Sequence, residues 1–322
     1  MFAGPAGSAA LPASNQANEP ESNSLLRPPP TLPSVPEIPE VEITARRLSR
    51  GLAGVEVESA LAPGMVALKT VSPPLGALAG RSIEGVRRIG KMPVVGLGEG
   101  SDDDGRLSLL VHLMSAGRLQ VFEGWASLRD RRSRLLVRLA DGRELRLREF
   151  GTKQRAWAKL LPAGEVADEE MVATLGPEAW PAPPLEVLAA AVDQPRHLHP
   201  MLRDQRVIAG IGRSWVDEIL WEARLSPFRK GSELGGEEIE RLHSALDVLG
   251  RALEHYEEVI GDTVPDKMPM PLRVHRRQGE PCPRCGTRLE AVHFAEHVMT
   301  YCPEEQTAGR VLKDRRLSRL LK

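Results

Sequence analysis

SVPEIPEVEITARRL, residues 34–48, is where ordered structure is expected to begin. Val41, Ala45, Leu48 and Leu52 recur at helical spacing, and Gly51 and Gly54 offer a stop. Pro36, Glu37, Pro39 and Glu40 suit the start of that helix. Proline fits a first turn whose N–H groups lack helical partners, and acids complement the positive end of the macrodipole. The chain before this stretch reads differently. Residues 1–34 hold seven prolines among many Ala, Ser, Gly and Asn. They show no periodicity and cannot bury a core, so residues 1–35 are expected to be a disordered extension.

Beyond the helix the pattern is that of strands up to about residue 160. LSLLVHL (107–113) reads as a buried strand, and LLVRLADGRELRLREF (135–150) as two alternating runs joined by Asp141-Gly142, a strong hairpin signal. PAPPLEV (181–187) marks a boundary, after which helical spacing dominates over 185–194, 214–224 and 236–260. A Pro-rich stretch, 262–272, leads into a small cysteine module. These runs predict a multidomain α+β protein: an N-terminal helix with a β-sandwich over 36–165, a helical domain over 180–262, a hairpin over 272–306 and a basic amphipathic tail over 307–322.

The net charge of the 322 residues is −1, but charge is segregated. Residues 124–160 hold eleven Lys/Arg against four Asp/Glu, and residues 272–322 hold eleven against six. Two basic regions in a nearly neutral chain fit a phosphate-binding footprint. Three cysteines, two of them in CPRC, form no disulfide framework and point to a reducing compartment. No apolar run approaches a membrane span, and the N-terminus lacks the basic-then-apolar order of a secretory signal. A cytoplasmic monomer without a membrane is the expectation.

Three local patterns carry chemistry. Cys282-x2-Cys285, with Cys302 after sixteen intervening residues, has the spacing of a zinc ribbon lacking its last thiolate, since Glu305 stands where a fourth cysteine is expected. Glu305, His297 or His293 can be the fourth ligand; the bland alternative is a hairpin that holds its shape without metal. VIAGIGRSWVDEILWEARLSPF (207–228) is a glycine turn entering a helix, where Gly210 and Gly212 permit close backbone approach and exposed N–H groups suit phosphate, with Arg213 beside them. Lys91, in VRRIGKMPVV, reads on its own as a solvated strand-end lysine, and His112 as a core histidine.

Taken in order, these pieces resemble the formamidopyrimidine-DNA glycosylase/endonuclease VIII family of base-excision repair enzymes. PEIPEVEITARRL is similar to that family's N-terminus, while VRRIGK, HLMSAGRL, REFG and LGPEAW resemble its β-domain landmarks. AGIGRSWVDEILWEARLSP resembles its helix–two-turn–helix core, and RRQGEPCPRCGT…YCP its zinc finger, so the resemblance spans 36 to about 306. It implies damaged double-stranded DNA as partner, one structural Zn2+, and a glycosylase/lyase reaction through an iminium on an N-terminal proline. By that resemblance Pro36 is the nucleophile, Glu37 the acid/base, Glu40 a further acid of the same turn and Lys91 a phosphate-binding catalytic lysine.

The same resemblance assigns Met114, Arg148, Phe150, Gly210, Gly212, Arg213 and His297 to DNA contact. Cys282, Cys285, Cys302 and Glu305 form the implied metal set. There are departures. Arg213 stands where asparagine is usual, and Glu149 stands at the place of an arginine inserted opposite the extruded base. Met114 lies one residue before the intercalating methionine's place, where Ser115 now sits, and His297 aligns with a phosphate-contacting arginine. The shortened 261–272 segment points to an endonuclease VIII-like or abasic-site preference over 8-oxoguanine.

Pro36 also has thirty-five residues in front of it. An internal proline nitrogen is an amide and forms no iminium. Val35 offers a solution, because GTG is a valine codon that also initiates, and 35 Arg against 8 Lys suggests a GC-rich genome. A start at Val35 would place methionine there, and its removal would expose Pro36. The rival expectation is a non-catalytic lesion- or abasic-DNA-binding protein in which Pro36 stays internal.

Overall fold

Helix α1 (Ile38–Leu52) is the first described element, with Glu37 at its N-cap and proline in its first turn. Its apolar stripe of Val41, Ala45, Leu48 and Leu52 is buried against the strands that follow. The computed structural model describes residue 1 and residues 35–312, except 64–65, 101–104, 128–129, 152 and 295–296. Most of the expected extension (1–35) and most of the expected tail (307–322) lie outside the described residues.

Among the described residues, eight strands follow α1: β1 (Val57–Leu61), β2 (Ile83–Ile89), β3 (Met92–Leu97), β4 (Leu107–His112), β5 (Gly117–Phe122), β6 (Ser133–Leu139), β7 (Glu144–Glu149) and β8 (Trp157–Pro162). They make two antiparallel sheets of four strands, ordered β1-β6-β7-β5 and β2-β3-β4-β8. Leu109, Leu119, Leu135, Leu147 and Leu160 join the α1 stripe in one core. The β6–β7 hairpin turns at Asp141-Gly142 as expected, with Gly142 at φ +89°, a conformation that favours glycine.

Strand parity settles one departure. Leu145, Leu147 and Glu149 share the inward face of β7, so Glu149 is buried and does not face outward. Its Oε2 accepts the Ala156 N–H at 2.9 Å, with Arg134 Nε 3.9 Å away. The outward-facing cation beside Phe150 is Arg148.

The second half is helical. A short α2 (Glu170–Ala173) precedes α3 (Leu185–Val192), α4 (Leu198–Leu202), α5 (Arg213–Glu222), α6 (Gly236–Ala245) and α7 (Val248–Val259). The single helix expected over 236–260 is two, broken at Leu246-Asp247. The reason is packing: α6 lies against α3 and α5, whereas α7 lies against α1 and α5. One straight helix cannot present its apolar stripe to both sets of neighbours. No described helix is long and apolar enough to cross a membrane.

The last described elements are a hairpin, β9 (Glu290–Phe294) with β10 (His297–Tyr301), and α8 (Pro303–Thr307). This hairpin docks on two buried acids of α5. Glu218 accepts the N–H groups of Arg273, Val274 and His275 at 3.0, 2.9 and 2.8 Å. Asp217 accepts from His275 Nδ1 at 2.7 Å and the Thr300 N–H at 3.0 Å, with His199 Nε2 at 3.2 Å. Burial alone would raise the Asp217 pKa, but the neighbouring His199 and the hydrogen-bonded His275 hold it below the usual carboxylate value. Replacing Asp217 by Ala would strand these donors. The expected cost is about 3 kcal/mol in urea unfolding, with faster proteolysis after residue 272.

Candidate active site and metal cluster

The candidate site is built where α1 meets α5. Helix α5 has four N-terminal N–H groups to satisfy, and no side chain of its own first turn does so. Glu37, 175 residues earlier, supplies the acceptor. Its carboxylate takes the N–H groups of Gly212 at 2.5 Å, Ser214 at 2.8 Å and Trp215 at 3.2 Å. The charge also complements the positive end of α5. The Ile38 N–H donates to the Gly210 carbonyl at 3.1 Å, so the contact is made by backbone as well as side chain.

This geometry corrects the reading of the glycine turn. A Cβ on Gly210 would lie 2.1 Å from the Ile38 side chain, and one on Gly212 would lie 2.4 Å from Glu37 Cδ. Gly210 also sits at φ +96°. The close approach that these glycines allow is to Glu37 and Ile38, and the N–H groups expected to suit a phosphate are taken by a carboxylate. Arg213 opens α5, half-buried and within the electrostatic reach of Lys91.

Glu40 lies one turn into α1 and is buried. Its Oε1 accepts from Tyr256 Oη at 2.6 Å and from Trp215 Nε1 at 3.1 Å, and its Oε2 accepts the Glu37 N–H at 2.9 Å. Burial first, and the neighbouring Glu37 charge second, push its pKa up to about 7. Burial also raises the Tyr256 pKa, so that phenol stays a donor to Glu40. Pro36 and Glu40 line a small cavity together with Thr44, Leu113, Arg118, Leu119, Val264 and Met268.

Lys91 is carried by the tight turn between β2 and β3, where Gly90 takes φ +56°. Glu178 fixes that turn by accepting the Gly90 N–H at 2.6 Å, and Arg88 braces it through Glu178 at 2.5 Å, the Gly90 carbonyl at 2.8 Å and Glu42 of α1 at 3.1 Å. Burial lowers the Lys91 pKa, partly countered by the Glu37 and Glu40 charges. The reading of a solvated lysine is therefore replaced by one of a half-buried amine within electrostatic reach of Glu37 and Glu40.

Met114 is half-buried at φ +50°, and its N–H donates to His112 Nδ1 at 3.0 Å. The Arg148 guanidinium lies over the rings of Phe122 and Phe150, 5.1 and 4.8 Å from their centres, and pairs with Asp266 at 3.0 Å. The 261–272 segment is itself held down: Gln120 Nε2 donates to the Val264 carbonyl at 2.7 Å, and Arg118 Nε to the Asp266 carbonyl at 3.1 Å.

The sulfurs of Cys282, Cys285 and Cys302 lie within 4.8 Å of one another. The Cys285 and Cys302 sulfurs are 3.4 Å apart, and Trp221 Nε1 of α5 donates to Cys282 Sγ at 3.4 Å. Thiolates about 2.3 Å from one tetrahedral ion stand close to 4 Å apart, so the three fit one zinc-type site. Glu305 does not join them. Its carboxylate is drawn off by Arg224 Nε and Arg284 Nη1, each at 3.0 Å. The side chain of His297 lies outside the described residues.

Two family models match this chain: the formamidopyrimidine-DNA glycosylase N-terminal domain over residues 35–153 and that glycosylase's H2TH domain over residues 175–263. The formamidopyrimidine-DNA glycosylase of Enterococcus faecalis is 30% identical over 297 residues, which are 87% of this chain and the whole of that protein. The chain belongs to the formamidopyrimidine-DNA glycosylase family. Members of this family are DNA glycosylases of base-excision repair. Among solved structures, the MutM (Fpg) protein of Thermus thermophilus has a TM-score of 0.70 at 29% identity, over 84% of this chain and 98% of that one. The Lactococcus lactis Fpg, solved with abasic-site DNA, shares the fold with a TM-score of 0.73 at 23% identity, over 84% of this chain and 99% of that one.

Within this family member, sequence reading passed over Tyr256, Trp215 and Arg118. Tyr256 and Trp215 fall on helical apolar spacings and read as core. A tyrosine or tryptophan deep in a helix face still needs a partner for its polar atom, and that signal pointed to a buried acceptor. Glu40 sets an expected pH dependence. Its folded carboxyl holds a proton more tightly than an unfolded one, so folding gains below the ordinary value of 4.5 and loses as pH rises through about 7. In thermal unfolding, Glu40→Gln is expected to flatten the fall in Tm between those pH values.

Proposed function

We propose that the chain is a bifunctional DNA glycosylase and abasic-site lyase that removes oxidised bases through a covalent iminium on Pro36. The observation that carries this is the clamp on Glu37. It fixes the residue after Pro36 on α5 while Pro36 itself lines a cavity with a second carboxyl, Glu40. The relatives are glycosylases by name, and solved neighbours hold DNA with an abasic site or a modified guanine.

The chemistry follows from these groups. The Pro36 amine forms a bond to C1′ as the glycosidic bond breaks and the base leaves with a proton. Ring opening places a proton on O4′ and yields the iminium, and loss of the C2′ proton then expels the 3′ phosphate. Glu37, the residue after Pro36, is held by three N–H groups of α5 beside the developing cation. Glu40, with its pKa near 7, can give or take a proton at neutral pH. Lys91 supplies a cation for the phosphate beside the lesion. Arg148, Phe150 and Met114 face the duplex, together with Arg213. The three thiolates would hold a zinc ion whose contribution is to fasten the finger hairpin.

The iminium requires Pro36 as a free amine, whereas in this sequence Val35 acylates it. That amide favours a second reading, a protein that binds abasic DNA without cutting it. Chains beginning at Met1 and at Pro36 separate the two when mixed with abasic-site duplex and borohydride. A covalent adduct is expected from the Pro36 chain alone. DNA binding without an adduct from either chain discards the enzyme reading.

The 261–272 segment, which carries Val264 and Met268 to the cavity that Pro36 lines, is short, and this favours a small base or none. Under single turnover the Pro36 chain is expected to cut abasic and oxidised-pyrimidine duplexes at least about tenfold faster than 8-oxoguanine duplex, a difference of roughly 1.4 kcal/mol. The opposite ranking would overturn this preference while leaving the lyase reading intact.

A further inference from the structure

The position whose spacing calls for a fourth metal ligand is occupied by a residue with other work. Glu305 Oε2 receives Arg224 Nε and Arg284 Nη1, both at 3.0 Å, and only 14% of its side chain is exposed. Arg284 lies inside the CPRC knuckle, between the two cysteines. Its second nitrogen pairs with Glu222 of α5 at 3.2 Å, and its guanidinium lies 4.1 Å from the centre of the Trp221 ring. The result is a chain of alternating charge, Glu222–Arg284–Glu305–Arg224, joining the C-terminal end of α5 to the start of α8.

For Glu305 to ligate an ion held by the sulfurs, it would have to reach about 2.0–2.2 Å from the metal and give up both guanidinium partners. The half-buried Arg284 and the exposed Arg224 would then lose their shared acceptor, a loss that is unfavourable chiefly at Arg284. The histidines are no substitute. Residue 297 begins β10 and is five residues before Cys302, about 16 Å away along an extended strand. His293 pairs across the hairpin with Val298, four residues before Cys302, at a distance of about 13 Å along the strand. Neither distance is spanned by an imidazole side chain.

We propose that this finger binds a soft divalent ion through Cys282, Cys285 and Cys302 alone. The fourth position is left to an exchangeable non-protein ligand, and Glu305 is an ionic latch that seats the finger on α5. Two jobs that a four-cysteine finger combines in its last ligand are thereby divided. The sulfurs organise the knuckle, and the carboxylate adds an attachment at the knuckle to those that Asp217 and Glu218 make with the rest of the finger.

The test needs no DNA cleavage. Full-length wild type, Glu305→Ala, Glu305→Gln and Glu305→Cys are loaded with Co2+, and metal stoichiometry and visible absorption are measured. Glu305→Ala and Glu305→Gln are expected to keep one ion per chain with an unchanged thiolate charge-transfer band, while hydrogen exchange in residues 280–307 speeds up at least tenfold. Glu305→Cys is expected to intensify that band by about a third and to bind Zn2+ more tightly in competition with a chelator. Added imidazole should shift the ligand-field bands of wild type and leave those of Glu305→Cys alone. Loss of the ion or of the band in both Glu305→Ala and Glu305→Gln would make Glu305 a ligand and overturn the proposal. Insensitivity of the wild-type spectrum to imidazole would overturn the open position.

Discussion

One carboxylate holds this protein's two halves in register. Glu37 sits at the head of α1, whose apolar stripe belongs to the β-sandwich core, yet its acceptors serve α5 in the helical half. A helix N-terminus has orphan donors and a partial positive charge, and both are answered by a residue from another domain. The residue next to the proposed nucleophile is thus also the cap of the helix that carries the DNA-binding half. Neither half can shift without disturbing the other.

Helix α5 extends this logic along its length. Its first turn receives Glu37, its middle offers Asp217 and Glu218 to the finger segment, and its last turn offers Trp221 and Glu222 to the cysteine knuckle. Buried acids are costly unless several donors converge on them, and here backbone N–H groups supply most of the donors. Ten residues therefore connect the candidate catalytic turn to the candidate metal cluster. Glu37, Glu40, Asp217 and Glu218 are buried, whereas Glu222 at the helix end is partly exposed.

Much of this was legible in the sequence, and the failures have physical causes. The spacing of Val41, Ala45, Leu48 and Leu52 announced α1, the Asp-Gly pair announced the β6–β7 hairpin, and cysteine spacing announced the sulfur cluster. These signals are local, so one chain segment contains the whole cause. The break between α6 and α7 is different, because it answers to neighbours that lie far off in sequence. Glu149 was misjudged although the strand's alternation carried the answer, since a charged residue at an inward position invites an outward reading. Glu305 was read from spacing alone, and the arginines that claim it are 81 and 21 residues away.

Gly210 and Gly212 touch no reactant in the proposed chemistry, yet no larger residue fits at either position without moving Glu37 or Ile38. In a mutational scan scored by DNA cutting they would rank with the catalytic groups, and in one scored by sequence motif they would be filed under DNA binding. Their constraint is of neither kind. It is a tolerance between two surfaces, set by the width of a single methyl group.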